Sequence, residues 1–543
     1  MSESQGLLRP QEGKNDRRTS RFNPRSVLLT AASLLIVFSL LGCYQIFGTS
    51  KPTKKNIIFF VTDGMGPASL SLTRSFRQYR DNLTIDDILE LDKYLIGSSR
   101  TRSSSSLITD SAAGATAFSC AMKSYNSAIG VDPDSNPCGT VMEALKLEGY
   151  ATGLVVTTRI TDATPAAFSA HTSLRIYEDL IAQHQIGDYP LGRSVDLLIG
   201  GGRTHYYSPN DHKYGNKGSR QDDRNLIDEA KNQGWSYVGN RSEFDQLNLG
   251  SNVQLPLLAL LDDYDIPFDL DRDDEVHPSL EEEALVALNA LTEATKDSDK
   301  GFFLLVEGSR IDHAGHNNDP AAQVREVLAF DKAFKAVKDF ADKSDVETIL
   351  ISTSDHETGG LATARQISPN YPDYIWYPEA LLNAKHSGEY LNKKIANYDG
   401  KDLKNFIIEE ILTKDLGIKD FTDEEVESLI SHKANSHYII NNIISLRSQT
   451  GWSTHGHSAV DVNIYAYANK RSTMIKLYET LGGNHENIEI GQFIVDYFNL
   501  DLDQVTELVK DTQHEPKKSV KSDTQGLNIE EEANDHYHTG AQI

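Results

Sequence analysis

Cysteine is scarce: the 543 residues hold three, too few for a disulfide scaffold or for a zinc site of four thiolates. Positive charge is short as well, with 53 Lys and Arg against 79 Asp and Glu, a formal net charge of −26. Nucleic-acid binding rests on clustered cations that neutralise phosphates, so this excess of carboxylates excludes that partner. No internal repeat organises the body. Long apolar runs are also missing, with one exception at residues 27–47, inside a charge-free stretch over 26–50. Apolar residues still make up 39%, enough for a sizeable core, and general disorder is excluded.

The 21 residues of the exception match the ~20 that cross a bilayer as a helix, so they read as a single anchor. Arg9, Lys14, Arg17, Arg18, Arg21 and Arg25 precede it against only Glu3, Glu12 and Asp16, which places the N-terminus in the cytoplasm and the body in a lumen or outside. A cleaved signal peptide is the alternative, and Leu41-Gly42-Cys43 resembles a lipoprotein box; the length of the run and its polar leader favour the anchor. Asn82 and Asn240 head glycosylation triplets that such a lumen could use. Cys120 and Cys138 are the thiols outside the span, either paired by an oxidising lumen or buried and free. The expected organisation is a cytoplasmic tail at 1–25, the anchor at 26–50, a folded body at 51–510 that includes a segment with helical patterns at 361–450, and a polar acidic, removable tail at 511–543.

Within the body, short apolar β-rich runs recur at 57–61, 154–158, 195–199, 302–306 and 348–352. Near-continuous runs of this length suit parallel strands covered on both faces. Pro320 opens a helix in which Val324, Val327, Leu328, Phe334, Val337 and Phe340 form one apolar stripe. Alternating strand and helix signals predict an α/β fold with a central, mostly parallel sheet sandwiched by helices.

Ligands in such folds bind beyond the carboxyl ends of the strands. The turns there are rich in carboxylates and imidazoles: Asp63, then Asp162 with Thr164, then Glu307 with Asp312, His313 and His316, then Asp355 with His356. A lone Asp-Gly is usually a turn and a lone Asp-His usually a cap. Their recurrence at four strand ends points to a metal cluster, zinc where nitrogen and oxygen mix and magnesium where oxygens alone converge. Ser111 follows Asp110 and opens a helix of small residues. It is an ordinary cap, or a nucleophile whose anion the helix N-terminus favours.

In their order, TDGMG, TDSAAGATA, TDATPAAFSAHTSLR, EGSRIDHAGH and TSDHETGG resemble the alkaline phosphatases over residues 56–499, and the anchor directs the resemblance to the fungal vacuolar members. The resemblance implies a phosphomonoester hydrolase with an alkaline optimum, working through a phosphoserine on Ser111 with two Zn2+ and one Mg2+ per chain. It implies a homodimer in the vacuolar lumen or at the cell surface, with the body at 51–510 as the catalytic domain and the segment at 361–450 as its variable inserted roof. Asp63 would bridge one zinc and the magnesium; Asp355 and His356 would complete that zinc, and Asp312, His316 and a third imidazole would hold the other. Asp162, Thr164 and Glu307 match the remaining magnesium ligands, Arg175 the grip on phosphate, and Asp110 and His313 the neighbours behind them. His457 is preferred to His455 as the third imidazole, because it aligns Val462, Ile464 and Ala466 with the strand that follows, although Ala459 and Val460 depart from the pattern. A phosphodiesterase or sulfatase of the same superfamily, or a catalytically silent metal-binding protein, are the alternative functions.

Overall fold

The computed structural model describes residues 54–214 and 217–516. The expected cytoplasmic tail, the anchor and the tail beyond 516 lie outside the described residues. Among the described residues no helix is long and apolar enough to cross a membrane.

Among the described residues twelve strands follow in chain order: β1 (Lys55–Val61), β2 (Leu95–Arg100), β3 (Ala151–Arg159), β4 (Leu197–Gly201), β5 (Ser236–Val238), β6 (Leu257–Leu260), β7 (Phe302–Glu307), β8 (Glu347–Thr353), β9 (Glu357–Thr358), β10 (His457–Ser458), β11 (Val462–Ala468) and β12 (Gly483–Glu486). Ten form one sheet in the order β12-β2-β11-β8-β1-β7-β3-β4-β6-β5, while β9 pairs with β10. The large sheet is parallel except at β11, which runs antiparallel to β8 and β2.

The reason the central strands read as apolar runs lies in β1. Ile58 and Phe60 enter one hydrophobic core, and Ile57, Phe59 and Val61 enter the core on the opposite face. A strand buried on both sides leaves no position for polar alternation. The Pro320–Lys343 helix covers the first face, its start capped by Asp319, which accepts from the amides of Ala321 and Ala322 at 3.0 and 2.9 Å. Val324, Val327, Leu328, Phe334 and Val337 of the expected stripe are buried, with the Phe334 ring 5.2 Å from Phe60, and Phe340 is half-buried. Each such burial contributes roughly 1.5–3 kcal/mol. On the second face the wholly buried Ser111–Ser119 helix packs closely against the Asn487–Phe498 helix, where a Cβ on Gly491 would come within 2.4 Å of the Phe118 carbonyl.

Four of the expected strands fall within observed ones, and the fifth begins two residues late, at Leu197 instead of 195. The sulfurs of Cys120 and Cys138 are joined, which decides between the two alternatives and ties down the C-terminal end of the Ser111–Ser119 helix. Asn82 and Asn240 are both exposed, and the Asn240 side chain also caps a short helix by accepting from the Glu243 amide at 3.0 Å. The inserted segment is mostly helical. It is fastened to the body where Asp319 accepts from the Gly388 amide at 2.8 Å and Asp271 from the Ser387 amide at 3.0 Å.

Candidate active site

Four adjacent strands, β8, β1, β7 and β3, end together and deliver the expected residues to one place. Asp63 follows β1, Asp162 and Thr164 follow β3, Glu307 ends β7, and Asp355 with His356 follow β8. The Arg310–His316 helix after β7 puts Asp312 and His316 on one face, with Asp312 Oδ2 3.2 Å from His316 Nε2. Ser111 sits at the first position of its helix, 3.1 Å from His356 Nε2 and 2% exposed. Asp110 caps that helix by accepting from the Ala113 amide at 2.9 Å, while its other oxygen accepts from the Ser127 amide at 2.8 Å and faces Arg175 Nη1 at 3.5 Å.

Two nests of potential ligands result. Asp63, Asp355 and His356 converge in one, with His356 Nε2 3.6 Å from Asp63 Oδ1 and 3.2 Å from Asp355 Oδ2. Neither of those oxygens receives a hydrogen bond, although both are buried. In the other, His457 Nε2 lies 3.1 Å from His316 Nε2 and 3.6 Å from Asp312 Oδ1. The His457 ring is held from behind by Nδ1 on the Thr109 carbonyl at 2.8 Å, which leaves Nε2 aimed inward. His455 is turned away, its Nδ1 on the His316 carbonyl at 2.8 Å. The structure thus brings His457, and not His455, to Asp312 and His316. Buried oxygens of Asp63 and Asp355 that receive no hydrogen bond, beside imidazole nitrogens aimed at the same point, fit a cation bound by nitrogen and oxygen.

Electrostatics agree with this fit. Burial first, and neighbouring carboxylates second, hold Asp63 well above the usual carboxylate range, and the same causes raise Asp355 to about 7. Burial raises Glu307 to about 8. Burial favours a neutral Asp312 too, but His316, His457 and His356 outweigh it and hold it well below the ordinary value. Burial and the adjacent imidazoles keep His356 neutral, and burial lowers His457 to about 4. Burial opposes a charged His316, but Asp312 outweighs it and raises its pKa, so a cation would displace protons from His316 and the raised carboxyls, whereas His356 and His457 already offer neutral nitrogens.

Asp162 stands apart from the other expected ligands. Its Oδ1 accepts from Arg175 Nη2 at 2.9 Å and from the Ala163 amide at 2.8 Å, and its Oδ2 pairs with Arg159 Nη2 at 3.2 Å. His313 lies against Arg310 Nε at 3.2 Å and 3.7 Å from Asp265. Sequence reasoning missed Arg159, which is 4% exposed and braced by Glu178 at 3.0 Å and Asp265 at 2.7 Å. It also missed Thr358, whose hydroxyl donates to Asp312 and lies 3.2 Å from His356 Nδ1. Thr358 was within reach, since it stands in the Asp355 to Gly360 motif. Arg159 carried only its place at a strand end, three residues before Asp162.

A mostly parallel sheet whose central strand ends carry two carboxylate–imidazole nests, beside a serine on a helix N-terminus and a tethered arginine, defines a class of phosphate-handling α/β enzymes. The chain belongs to the alkaline phosphatase family, whose sequence model matches residues 54–500. It is 56% identical over 535 residues to the repressible alkaline phosphatase of Saccharomyces cerevisiae, covering 94% of each chain. It is 46% identical to the alkaline phosphatase of Schizosaccharomyces pombe, again over 94% of each. The solved cold-active alkaline phosphatase of a Shewanella species superposes with a TM-score of 0.68 at 29% identity, covering 81% of this chain and 99% of that one. The protein is therefore a phosphomonoesterase.

Proposed function

We propose that the protein hydrolyses phosphate monoesters in two displacements through a phosphoserine on Ser111. The observation that carries this reading is the placing of Ser111 Oγ 3.1 Å from His356 Nε2, with Asp110 joining the serine helix to Arg175. Asp63, Asp355 and His356 would hold one zinc, and Asp312, His316 and His457 the other. Glu307, Thr164 and Asp63 would hold magnesium, with Asp162 orienting Arg175. Bound cations supply the positive charge that favours a serine alkoxide and a departing alkoxide at the pH of an alkaline optimum.

The protein's own groups do the rest. Arg175 spans two phosphate oxygens with its planar fork, held at one end by Asp162 and at the other by Asp110. Ser111 Oγ attacks phosphorus in line and gives its proton to solvent, the ester P–O bond breaks, and the departing alcohol oxygen takes one proton from solvent, so that protons balance over the displacement. Water then cleaves the phosphoserine and restores Ser111, releasing inorganic phosphate. The free amides at the start of the serine helix favour the phosphoryl oxygens in both displacements. The anchor at 26–50, the luminal body, glycans on Asn82 and Asn240, and the homodimer belong to the same reading.

The test is hydrolysis of a chromogenic phosphate monoester with acid-trapping of the phosphoenzyme. Ser111→Ala is expected to lose all trapped phosphate and roughly 10³-fold or more of kcat. Full turnover in that variant sinks the covalent route, and turnover that resists exhaustive chelation sinks the metal assignment.

A further inference from the structure

A cavity of about 540 Å³ is lined by the inserted segment and by the loop that leads to His457. Gly360, Ser453 and His455 wall it on one side, and these belong to the two loops that carry Asp355-His356 and His457. The loops are bonded to one another, from the Gly359 amide to the Gly456 carbonyl and from the Ser453 amide to the Gly359 carbonyl, both at 2.9 Å. The wall is therefore as fixed as the ligands themselves. His455 stands two residues from His457, a reach of roughly 7 Å along the chain.

Arg365, Tyr438 and Trp452 line the same cavity. Arg365 is half-buried, and its Nη2 donates to Asn442 Oδ1 at 2.9 Å. Among the described residues no carboxylate pairs with it, and burial alone lowers its pKa from the ordinary guanidinium value. A half-buried cation with no acidic neighbour among the described residues can receive an anion that enters the cavity. The Tyr438 ring lies 4.3 Å from the His455 ring, and Trp452 is pinned by its Nε1 on Ser445 Oγ at 3.0 Å. Fixed aromatic walls accept a planar group, and a guanidinium fork accepts a carboxylate at its edge.

We propose that this cavity is a leaving-group subsite for phosphomonoesters whose alcohol is planar and carries an anionic substituent, which Arg365 receives. The proposal deepens the phosphomonoesterase reading and rests on it. Neutral aryl esters occupy the reaction centre alone, whereas acidic ones also engage the roof.

The metal-loaded enzyme is assayed at low ionic strength with phenyl phosphate, 4-carboxyphenyl phosphate and 3-(4-phosphonooxyphenyl)propanoate, the last two offering a carboxylate at two distances. For at least one carboxylated ester, Arg365→Gln is expected to lower kcat/KM about fivefold, chiefly through KM, and Arg365→Lys to restore part of it, while phenyl phosphate stays within about twofold. An equal change for all three esters, or none for any, overturns the subsite. Phenyl phosphate turnover by the wild type separates the two readings. If it is present without a selective effect, the subsite alone fails; if all three esters are inert, the phosphomonoesterase reading fails with it. A melting temperature for each variant shows whether a uniform loss is only misfolding, and raised KM in a fully folded Arg365→Gln for the carboxylated esters alone is the result a structural role does not produce.

Discussion

Arg175 shows how one side chain is fixed for its task by residues far apart in the chain. It is tethered to Asp162 at 2.9 Å and faces Asp110 at 3.5 Å, and Asp162 is in turn paired to Arg159 at 3.2 Å. Two carboxylates at its edges leave the guanidinium no freedom to turn, so its fork is organised before substrate arrives. Lysine offers one compact charge and cannot reproduce that geometry. Arg175→Lys is expected to lower kcat/KM by about 10²-fold and to weaken competitive inhibition by inorganic phosphate in parallel. Steady-state kinetics with phosphate as inhibitor check this, and an unchanged inhibition constant rejects the assignment. The residue was legible in the sequence only through its place in a family motif, thirteen positions after Asp162. Arg159 was not legible at all, because the partners that brace it, Glu178 and Asp265, come from other segments.

At the scale of elements, the Ser111–Ser119 helix is built of small residues because it lies directly on the ligand loop. A Cβ on Gly114 would sit 2.9 Å from the Asp355 Cβ, closer than carbon atoms pack. Gly114→Ala gains about 1 kcal/mol of helix propensity and still has to displace either the helix or Asp355. The expected outcome is a folded protein, by circular dichroism, with kcat reduced roughly tenfold or more. Unchanged kcat would show that the helix and the loop can part without consequence. Legibility follows burial here too. The strand β1, buried on both faces, announced itself as Ile57-Ile58-Phe59-Phe60-Val61, whereas β12, at the sheet edge, reads Gly483-Asn484-His485-Glu486 and carries no apolar signal. The short edge strand β5 was invisible for the same reason.

Across the whole molecule, the net charge of −26 is carried partly inside. Without cations, Asp63, Glu307 and Asp355 all have folded-state pKa values above their unfolded ones, burial being the first cause. For a carboxyl shifted upward, the neutral form is the native one, so its contribution is intact below the unfolded pKa and is lost as pH rises through the folded pKa. With Asp355 at about 7 and Glu307 at about 8, that loss spans from about pH 4 to about pH 8. The chelated protein is therefore expected to melt at progressively lower temperature across this window, and metal reloading to restore most of the loss at pH 8. Thermal melts at several pH values, with and without chelator, check it. Parallel curves for the two forms reject a cation at these carboxylates.

The sequence by itself determined the class of fold, the acidic strand ends and the order of the motifs, since each is written in residues close together in the chain. Period and composition report burial on both faces of a strand, and a four-residue spacing reports one face of a helix. Only the tertiary structure set the His457 ring, rather than that of His455, beside His316 Nε2, tied Asp162 to two arginines, and joined Cys120 to Cys138. Among the described residues it also left Arg365, in the cavity lined by the inserted segment, without an acidic partner. Those outcomes depend on which distant segments the sheet brings within hydrogen-bond range, and no local pattern encodes a distance across the fold.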